Sequence, residues 1–205
     1  MANVKITDMT AATTPLAGTE LLEIVQAGSS VKAAASAIAN SATAVPYLSL
    51  SGRAYISAYD TSDQTGSISA ATAVKLNTTG FSAGISVANN GSGVPTRITF
   101  AAAGTYMIAP SIQFKNSDSS DHDATVWFRK NGTDIANSAT VLSVPKAADG
   151  GAAYFQIVFY EQVTAGQYIE VMWLPENANV TIDYTAAGAI APAIPSVIAV
   201  AERIA

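Results

Sequence analysis

The stretch AAYFQIVFYEQVTAGQYIEVMWL, residues 152–174, decides the fold class of this chain. Large apolar side chains occupy every second position on both sides of a short connection, Val163–Gln167, that contains a glycine. Successive side chains of a β-strand point to opposite faces, so this period of two predicts two half-buried strands paired as a hairpin. The side chains expected to face the core are Phe155, Ile157, Phe159, Ile169, Val171 and Trp173. The stretch therefore favours an all-β fold.

The chain from residue 53 onward repeats this kind of pattern. Short alternating runs are separated by turn signals, of which Asn131-Gly132 is typical of a two-residue hairpin loop. One run, residues 105–114, places four large side chains on one parity: Tyr106, Ile108, Ile112 and Phe114. About eight to ten short strands with turns between them predict an antiparallel jelly-roll sandwich over residues 53–205.

The composition limits the function classes that fit this chain. Charged residues make up 12% of the 205 residues, about half of the usual share of roughly 25%, which favours an oligomer that covers much of its surface. The net charge of −5 and the scattered 10 Lys and Arg residues exclude a nucleic-acid partner. The absence of cysteine excludes disulfides and thiolate metal sites. No secretory leader is recognisable, and no apolar run is long enough for membrane insertion.

The first 45 residues differ from the rest of the chain. Residues 21–26, LLEIVQ, predict a strand, and residues 31–39 favour a short helix, so this segment is expected to be a small mixed unit. It holds few large side chains and is too short for a core of its own, so it should need a partner or other copies of itself. We predict an attachment or oligomerisation segment at residues 1–45 and a linker at residues 46–52.

Four motifs in the larger part resemble the jelly rolls of complement globular heads and tumour necrosis factors. Phe100, Gly104 and Tyr106 are similar to a strand–turn–strand motif of that family, and residues 126–132, VWFRKNG, resemble its strand and hairpin. Residues 163–167 resemble a tight connection in which Gln167 replaces the usual aspartate, and residues 197–204 resemble the last core strand. Members of this family are compact trimers, so the resemblance implies a homotrimer.

The N-terminal segment resembles the start of tailed-phage fibre and virion-attachment proteins. The similarity runs from residue 5 to residue 28 and departs at Met9, where leucine is usual. It implies a structural protein located in the virion, with other capsid or tail proteins as partners and a host surface glycan as a further one. Capsid decoration and a short tail fibre both fit. The residues expected to make the virion attachment are Ile6, Leu21, Ile24 and Val25.

The subunit interface of the implied trimer is expected on side chains that face away from the core. Alternation places Tyr154, Tyr160, Tyr168 and Met172 there, where an isolated monomer would leave them exposed. The apolar segment 185–195, with Ile190 and Pro192, is expected to bury against a neighbouring chain. A platform that stacks on sugars is the alternative function of these aromatic residues.

The sequence offers few candidates for a catalytic or metal-binding site. Asp118, Asp121 and Asp123 form an oxygen-rich cluster that suits calcium, but the spacing does not match a calcium loop, and a solvated loop between strands explains the cluster better. His122 lies in the same loop and is not accompanied by a nucleophile motif. We therefore predict no enzyme and no cofactor.

Two alternative functions remain open from the sequence. The first is a carbohydrate-active depolymerase or hydrolase on the same scaffold, which needs a carboxylate pair. The strand-region carboxylates that could supply that pair are Glu161, Glu170, Glu176 and Asp183. The second is a cellular, ligand-like or adhesive trimer without a virion role.

Overall fold

The computed structural model describes residues 21–26, 29–34 and 53–205, and the chain divides into two units, Met1–Gly52 and Arg53–Ala205. In the first unit, strand β1 (Leu21–Gln26) pairs antiparallel with β2 (Ser29–Ala34). The strand at residues 21–26 is thereby confirmed. The helix expected at residues 31–39 is wrong for residues 31–34, because cross-strand pairing overrides the helix propensity of alanine. The remainder of that helix lies outside the described residues.

The second unit is built from antiparallel strands, and its one helical turn among the described residues is a three-residue 3-10 turn, Ala147–Asp149. The strand bounds are β3 Tyr55–Asp60, β4 Gln64–Thr65, β5 Thr72–Ala73, β6 Thr78–Ala83, β7 Ile85–Asn89, β8 Pro95–Phe100, β9 Gly104–Asn116, β10 His122–Lys130, β11 Thr133–Asp134, β12 Thr140–Val144, β13 Ala152–Gln156, β14 Phe159–Val163, β15 Tyr168–Pro175, β16 Val180–Ile182 and β17 Val197–Arg203. They number fifteen in the described part of this unit, against the expected eight to ten, and three of them, β4, β5 and β11, hold only two residues each.

These strands form two sheets, and the chain crosses repeatedly from one sheet to the other. The first sheet has the order β7-β8-β15-β10, with β11 and β12 along the far edge of β10 and β5 beside β15. The second has the order β6-β3-β17-β9, with β13 and β14 on the other edge of β9 and with β16 and β4 extending it. A chain that crosses repeatedly between two antiparallel sheets forms a jelly-roll sandwich. The structure therefore confirms the predicted fold class.

The hairpin expected at residues 152–174 is wrong, because its two halves belong to opposite sheets. Strand β14 pairs with β9 in the second sheet, whereas β15 pairs with β10 in the first. The connection between them is fixed to the end of β8, since the Gly166 amide donates to the Phe100 carbonyl at 2.8 Å. Gln167 stands where the resemblance would place an aspartate, and its side-chain Oε1 accepts a hydrogen bond from the Thr164 amide at 2.9 Å.

The first half of the same stretch is divided into β13 and β14 at Ile157-Val158 because of Pro110. Gln156 pairs with Ser111 and Phe159 pairs with Ile108, so Pro110 lies opposite the break. Proline has no amide hydrogen to donate to a neighbouring strand. The ladder is interrupted there, yet the alternation continues across the gap and keeps Ile157 packed against the core.

The core lies between the two sheets and is crossed by aromatic pairs. Phe114 of β9 meets Trp173 of β15 edge-on at 5.7 Å between ring centroids. The rings of Phe128 and Phe159, again from opposite sheets, stack at 4.4 Å. The predicted core parities of β9 and β15 are confirmed, since Tyr106, Ile108, Ile112, Phe114, Ile169, Val171 and Trp173 are all buried.

The motif Phe100–Gly104–Tyr106 closes one end of the sandwich. The two rings pack at 4.4 Å, and the Tyr106 hydroxyl donates to the Ala102 carbonyl at 3.0 Å. Burial of the ring raises the pKa of the Tyr106 hydroxyl. Gly104 is required by close approach, since a Cβ there would lie 2.5 Å from the backbone carbonyl oxygen of Ala205 and 2.5 Å from Arg203 Nε.

Candidate interaction surface

The outer face of the second sheet is almost free of charge. Along β6, β3, β17, β9, β13 and β14, the side chains that point away from the core include only two charged ones, Lys115 and Glu202. We call this surface the uncharged face. The outer face of the first sheet carries five charged side chains, Arg97, Asp123, Arg129, Asp134 and Glu170. The two exterior faces of the sandwich therefore differ in the partners that they can accept.

Large apolar side chains are concentrated on the uncharged face. Eleven such side chains are exposed in the described part of the chain. Six of them lie on the uncharged face: Tyr55, Phe81, Tyr154, Val158, Tyr160 and Ile198. Single exposed apolar residues are ordinary, whereas a contiguous set on one sheet marks an interaction site. Sequence reasoning identified Tyr154 and Tyr160, but it missed Tyr55, Phe81 and Ile198.

The segment before β17 adds to the exposed apolar surface. Thr185 and Ile194 form an isolated antiparallel bridge, with Thr185 N donating to Ile194 O at 3.0 Å and Ile194 N donating to Thr185 O at 2.8 Å. Gly188 N donates to Ala191 O at 3.0 Å near the tip. Ile190 is fully exposed, and Pro192 is exposed beside it. We call residues 185–194 the apolar loop. That a neighbouring chain covers it stays a prediction.

Two of the residues expected at the subunit interface are placed differently. Met172 is only 2% exposed in the isolated chain, so the expectation that a monomer would leave it wet is wrong. It lies on the outer side of β15 between two neighbouring strands, opposite Trp127 and Ala73 in the ladder. Tyr168 is half-buried, with the Arg97 guanidinium 4.2 Å above its ring. Both residues belong to the first sheet and not to the uncharged face.

The aspartates of the loop between β9 and β10 are engaged separately. Asp118 Oδ2 accepts from His122 Nε2 at 2.7 Å, and Asp118 Oδ1 accepts from the Ser119 amide at 2.7 Å. Asp121 Oδ1 instead accepts from the Lys146 amide at 2.8 Å. Across the described residues, no group of three His, Asp or Glu side chains has a geometry suited to a metal ion. The loop is held by hydrogen bonds of the kind that polar turns make.

His122 joins two loops electrostatically. Its hydrogen bond to Asp118 is the main cause that raises the pKa of the imidazole, and the same bond lowers the pKa of the Asp118 carboxyl. Its other ring nitrogen, Nδ1, lies 3.7 Å from Glu176 Oε2. Glu176 also accepts a hydrogen bond from the Asp123 amide at 2.8 Å. This group ties the β9–β10 loop to the end of β15.

The carboxylates considered for catalysis do not form a pair on adjacent strands. Glu170 lies on β15 of the first sheet, whereas Asp183 follows β16 of the second. Glu161 forms an ion pair with Lys130, and Asp183 forms one with Lys115. Glu170 is buried and accepts from the Thr96 hydroxyl at 2.5 Å.

The residues expected to attach the protein to a virion lie in the first unit. Leu21, Ile24 and Val25 belong to β1, where they pair with Ala34, Val31 and Ser30. Ile6 lies outside the described residues. Their attachment role stays a prediction. Among the residues that the structure describes, no helix has the length and apolar character needed to cross a membrane.

No protein-family model matches the chain, and no curated protein sequence matches it. Among solved structures, the chain is similar to crystal structures of murine APRIL. The structure at pH 8.5 has a TM-score of 0.46 and 10% identity, with 74% of this chain and 99% of that chain covered. The structures at pH 5.0 and pH 8.0 have TM-scores of 0.46 and 0.47 at 10% identity, each covering 73% of this chain and 98% of that chain.

Proposed function

We propose that this protein is a structural virion component of a tailed bacteriophage, a homotrimer that projects from the particle as a capsid decoration or a short fibre. Residues 1–45 attach it to other virion proteins, and the jelly roll of residues 53–205 forms the projecting head. A glycan on the host surface is the proposed external partner. The observation that carries the trimer is the uncharged face, and the virion role rests on the N-terminal resemblance.

The physical case for self-association is the contrast between the two exterior faces. A surface with six exposed large apolar side chains and two charges loses little by desolvation and gains by burial, at about 25 cal/mol per Å² of apolar area. A partner of the same sequence offers the same uncharged face. Closed cyclic symmetry then covers this face in every subunit without leaving an open end.

Sedimentation equilibrium of the full chain tests the trimer, with Ile198→Asp as the variant. Ile198 lies on β17 at the middle of the uncharged face and is 40% exposed, so the fold tolerates the substitution while the interface gains a buried charge. We expect a trimer for the unsubstituted protein and a monomer for the variant. The matched control is Val141→Asp, which is 59% exposed on the other sheet and should remain trimeric. A monomeric unsubstituted protein at micromolar concentration would contradict the trimer.

The attachment role of the N-terminal segment is tested on particles. Phage lacking the protein are mixed with either the full chain or a protein that begins at Arg53, and bound protein is located by electron microscopy of the particles. We expect the full chain to bind and the shortened protein to remain in solution as a trimer. Binding of both proteins to an equal extent would disprove the attachment role of residues 1–45. The position of the bound density separates capsid decoration from a tail fibre.

A further inference from the structure

The outer face of the first sheet holds a polar cleft of about 330 Å³. Its floor is formed by β15 and its walls by β8, β10, β5 and the turn between β7 and β8. The lining includes Arg97, Arg129, Tyr168, Glu170 and Met172. Small residues at the rim, among them Ala71, Gly91, Ser92 and Gly132, keep the cleft open. The volume is at the lower end of the range of small-molecule sites, roughly 300–1,000 Å³.

A row of alternating charge crosses the floor of this cleft. Arg129 pairs with Glu170 in the β10–β15 ladder, and the Arg97 Nε atom lies 3.8 Å from Glu170 Oε1 on the other side. The Arg97 Nε atom is buried and has no hydrogen-bond partner among the described residues. Because the guanidinium groups only donate and the carboxylate only accepts, donors and an acceptor alternate along the row.

Aromatic rings lie on both sides of the charged row. Tyr168 precedes Glu170 on β15 and supports the Arg97 guanidinium from below. Trp127 is next to Arg129 on the outer side of β10, opposite Met172, and its ring is fixed by a hydrogen bond from Nε1 to Asp134 Oδ1 at 2.7 Å. The same Asp134 oxygen accepts from Arg129 Nε at 2.7 Å. Of the two rings, Tyr168 lines the cleft, and Trp127 lies beside Arg129 outside the lining.

The charge balance of the site decides which ligand fits. Arg97, Arg129 and Glu170 line the cleft, and Asp134, which lies outside the lining, balances Arg129 through their ion pair, so the four groups together carry two positive and two negative charges. The Asp134 carboxylate stays ionised because the hydrogen bond from Arg129 lowers its pKa. A net charge of zero offers no attraction to a phosphate or a nucleotide. A ligand with closely spaced hydroxyl groups, which both donate and accept, matches the alternating row.

We propose that this cleft binds one neutral sugar residue of a glycan, with hydroxyl groups on Arg97, Glu170 and Arg129 and the apolar side of the ring against an aromatic side chain. The inference rests on the proposed function for the source of the glycan. The cleft lies on the sheet opposite the uncharged face, so a trimer formed through that face leaves it open. Aromatic faces and polar side chains together are suited to a ligand that has an apolar side and a polar edge.

Tryptophan fluorescence provides the test, because the chain has two tryptophans and Trp173 is fully buried, which leaves Trp127 as the reporter. The full-length trimer is titrated with the methyl glycosides of glucose, galactose and mannose, and separately with glucuronate. We expect saturable binding of at least one neutral glycoside. Arg97→Met and Glu170→Gln should each weaken it at least about tenfold, as expected for the loss of a hydrogen bond to a charged group. Lys115→Met removes a charge from the other sheet and should leave the affinity unchanged.

Amide chemical shifts of the unsubstituted protein map the site without any substitution. Shifts confined to the strands and turns that line the cleft, residues 71–73, 90–92, 97, 129–132 and 168–172, support the cleft, and shifts confined to other parts of the chain overturn it. If glucuronate binds and no neutral glycoside does, the proposal of a neutral ligand is wrong. If a neutral glycoside binds Arg97→Met and Glu170→Gln as tightly as the unsubstituted protein, the site lies elsewhere and the proposal is also wrong. Binding of none of the sugars at millimolar concentration overturns the inference. The trimer is measured separately by sedimentation, so either failure is recognised on its own.

Discussion

At the scale of single residues, Gly66 shows how tightly the sandwich is filled. A Cβ at Gly66 would lie 2.8 Å from the Trp173 ring and 2.8 Å from the Pro175 ring. Gly66→Ala must therefore push a fully buried indole, which overpacks the core, and we expect a loss of about 1–3 kcal/mol in the free energy of unfolding. Urea unfolding monitored by circular dichroism measures it.

Gly91→Ala is the control for this substitution, because a Cβ there would meet nothing within 4 Å. Its unfolding free energy should stay within about 0.5 kcal/mol of the unsubstituted protein. If the two substitutions lowered the free energy of unfolding equally, close packing around Trp173 would not be the cause of the loss.

A second residue-scale prediction concerns the pH dependence of His122. Its pKa is raised in the folded state, so its contribution to stability is fully present below the pKa of an unfolded-chain histidine and is lost as the pH rises through the raised value. The pKa of Asp118 is lowered, so its contribution is present above the unfolded aspartate value and is lost as the pH falls through the lowered value. The pair is most stabilising between about pH 4 and pH 6.5.

The measurement compares His122→Gln with the unsubstituted protein across this range. The difference in urea midpoint should be largest near pH 5 and should shrink as the pH rises through the raised pKa of the His122 imidazole. A difference that does not change with pH would mean that the ring acts only through packing.

Alternation along the sequence predicted the direction of most side chains but not their exposure. The inward residues of β9 and β15 are buried as expected, because a one-residue step reverses the face. Met172 and Glu170 point outward, yet they are buried. Strand β15 has neighbours on both edges, and the residues that line the cleft shield its outer side. The alternation of apolar residues in the sequence does not show which outward-facing side chains are covered by neighbouring residues.

At the scale of elements, the apolar loop is expected to serve assembly and not folding. Residues 186–193 can be replaced by Asn-Gly, which joins the bridged positions Thr185 and Ile194 with a two-residue hairpin turn. Most of the removed side chains are exposed, so the circular dichroism spectrum should not change. The trimer of the shortened protein should dissociate at a higher protein concentration than the trimer of the unsubstituted chain. The reason is that each subunit has lost apolar contact area.

Analytical ultracentrifugation of a dilution series measures this effect. The control changes the length of another turn, Asn90–Val94, by the same number of residues, through an insertion. This turn lies at the β7–β8 end of the first sheet. An unchanged trimer after removal of the loop would show that the loop contacts something other than a second copy of the chain.

The same scale explains why the expected hairpin was wrong while its core residues were right. A strand in either sheet turns its apolar side towards the middle of the sandwich, so β14 and β15 show the same alternation that paired strands would show. The partner of a strand is fixed by tertiary contacts, here by the hydrogen bond between Gly166 and Phe100. The break between β13 and β14 was also not predictable from the sequence. Its cause, Pro110, is 47 residues from Ile157 in the chain but opposite it in the sheet.

At the scale of the whole molecule, folding and assembly should be coupled. A trimer is stabilised by mass action, so its melting temperature rises with protein concentration. We expect this rise for the unsubstituted chain across a tenfold concentration range, and no rise for the monomeric Ile198→Asp variant. Differential scanning calorimetry at two concentrations measures it. A melting temperature independent of concentration in both proteins would indicate that the uncharged face contributes nothing to stability.

The uncharged face could be predicted only in part from the sequence. The low charge content indicated a covered surface, and alternation identified Tyr154 and Tyr160. Tyr55, Phe81 and Ile198 come from three separate strands, β3, β6 and the distant β17, which the topology places side by side. The same holds for Arg97, Arg129 and Glu170 in the cleft. A site assembled across several strands becomes visible only when the order of the strands is known.

The position of β17 has a consequence for how the protein is made. This last strand of the jelly roll, Val197–Arg203, lies between β3 and β9 in the second sheet. During synthesis on the ribosome, β3 and β9 both emerge early and wait with unpaired edges until β17 arrives. Unpaired edges are templates for aggregation. We therefore expect the second sheet to be completed only after Val197–Arg203 has been translated, and a premature stop before Val197 should leave β3 and β9 with unpaired edges in the released chain.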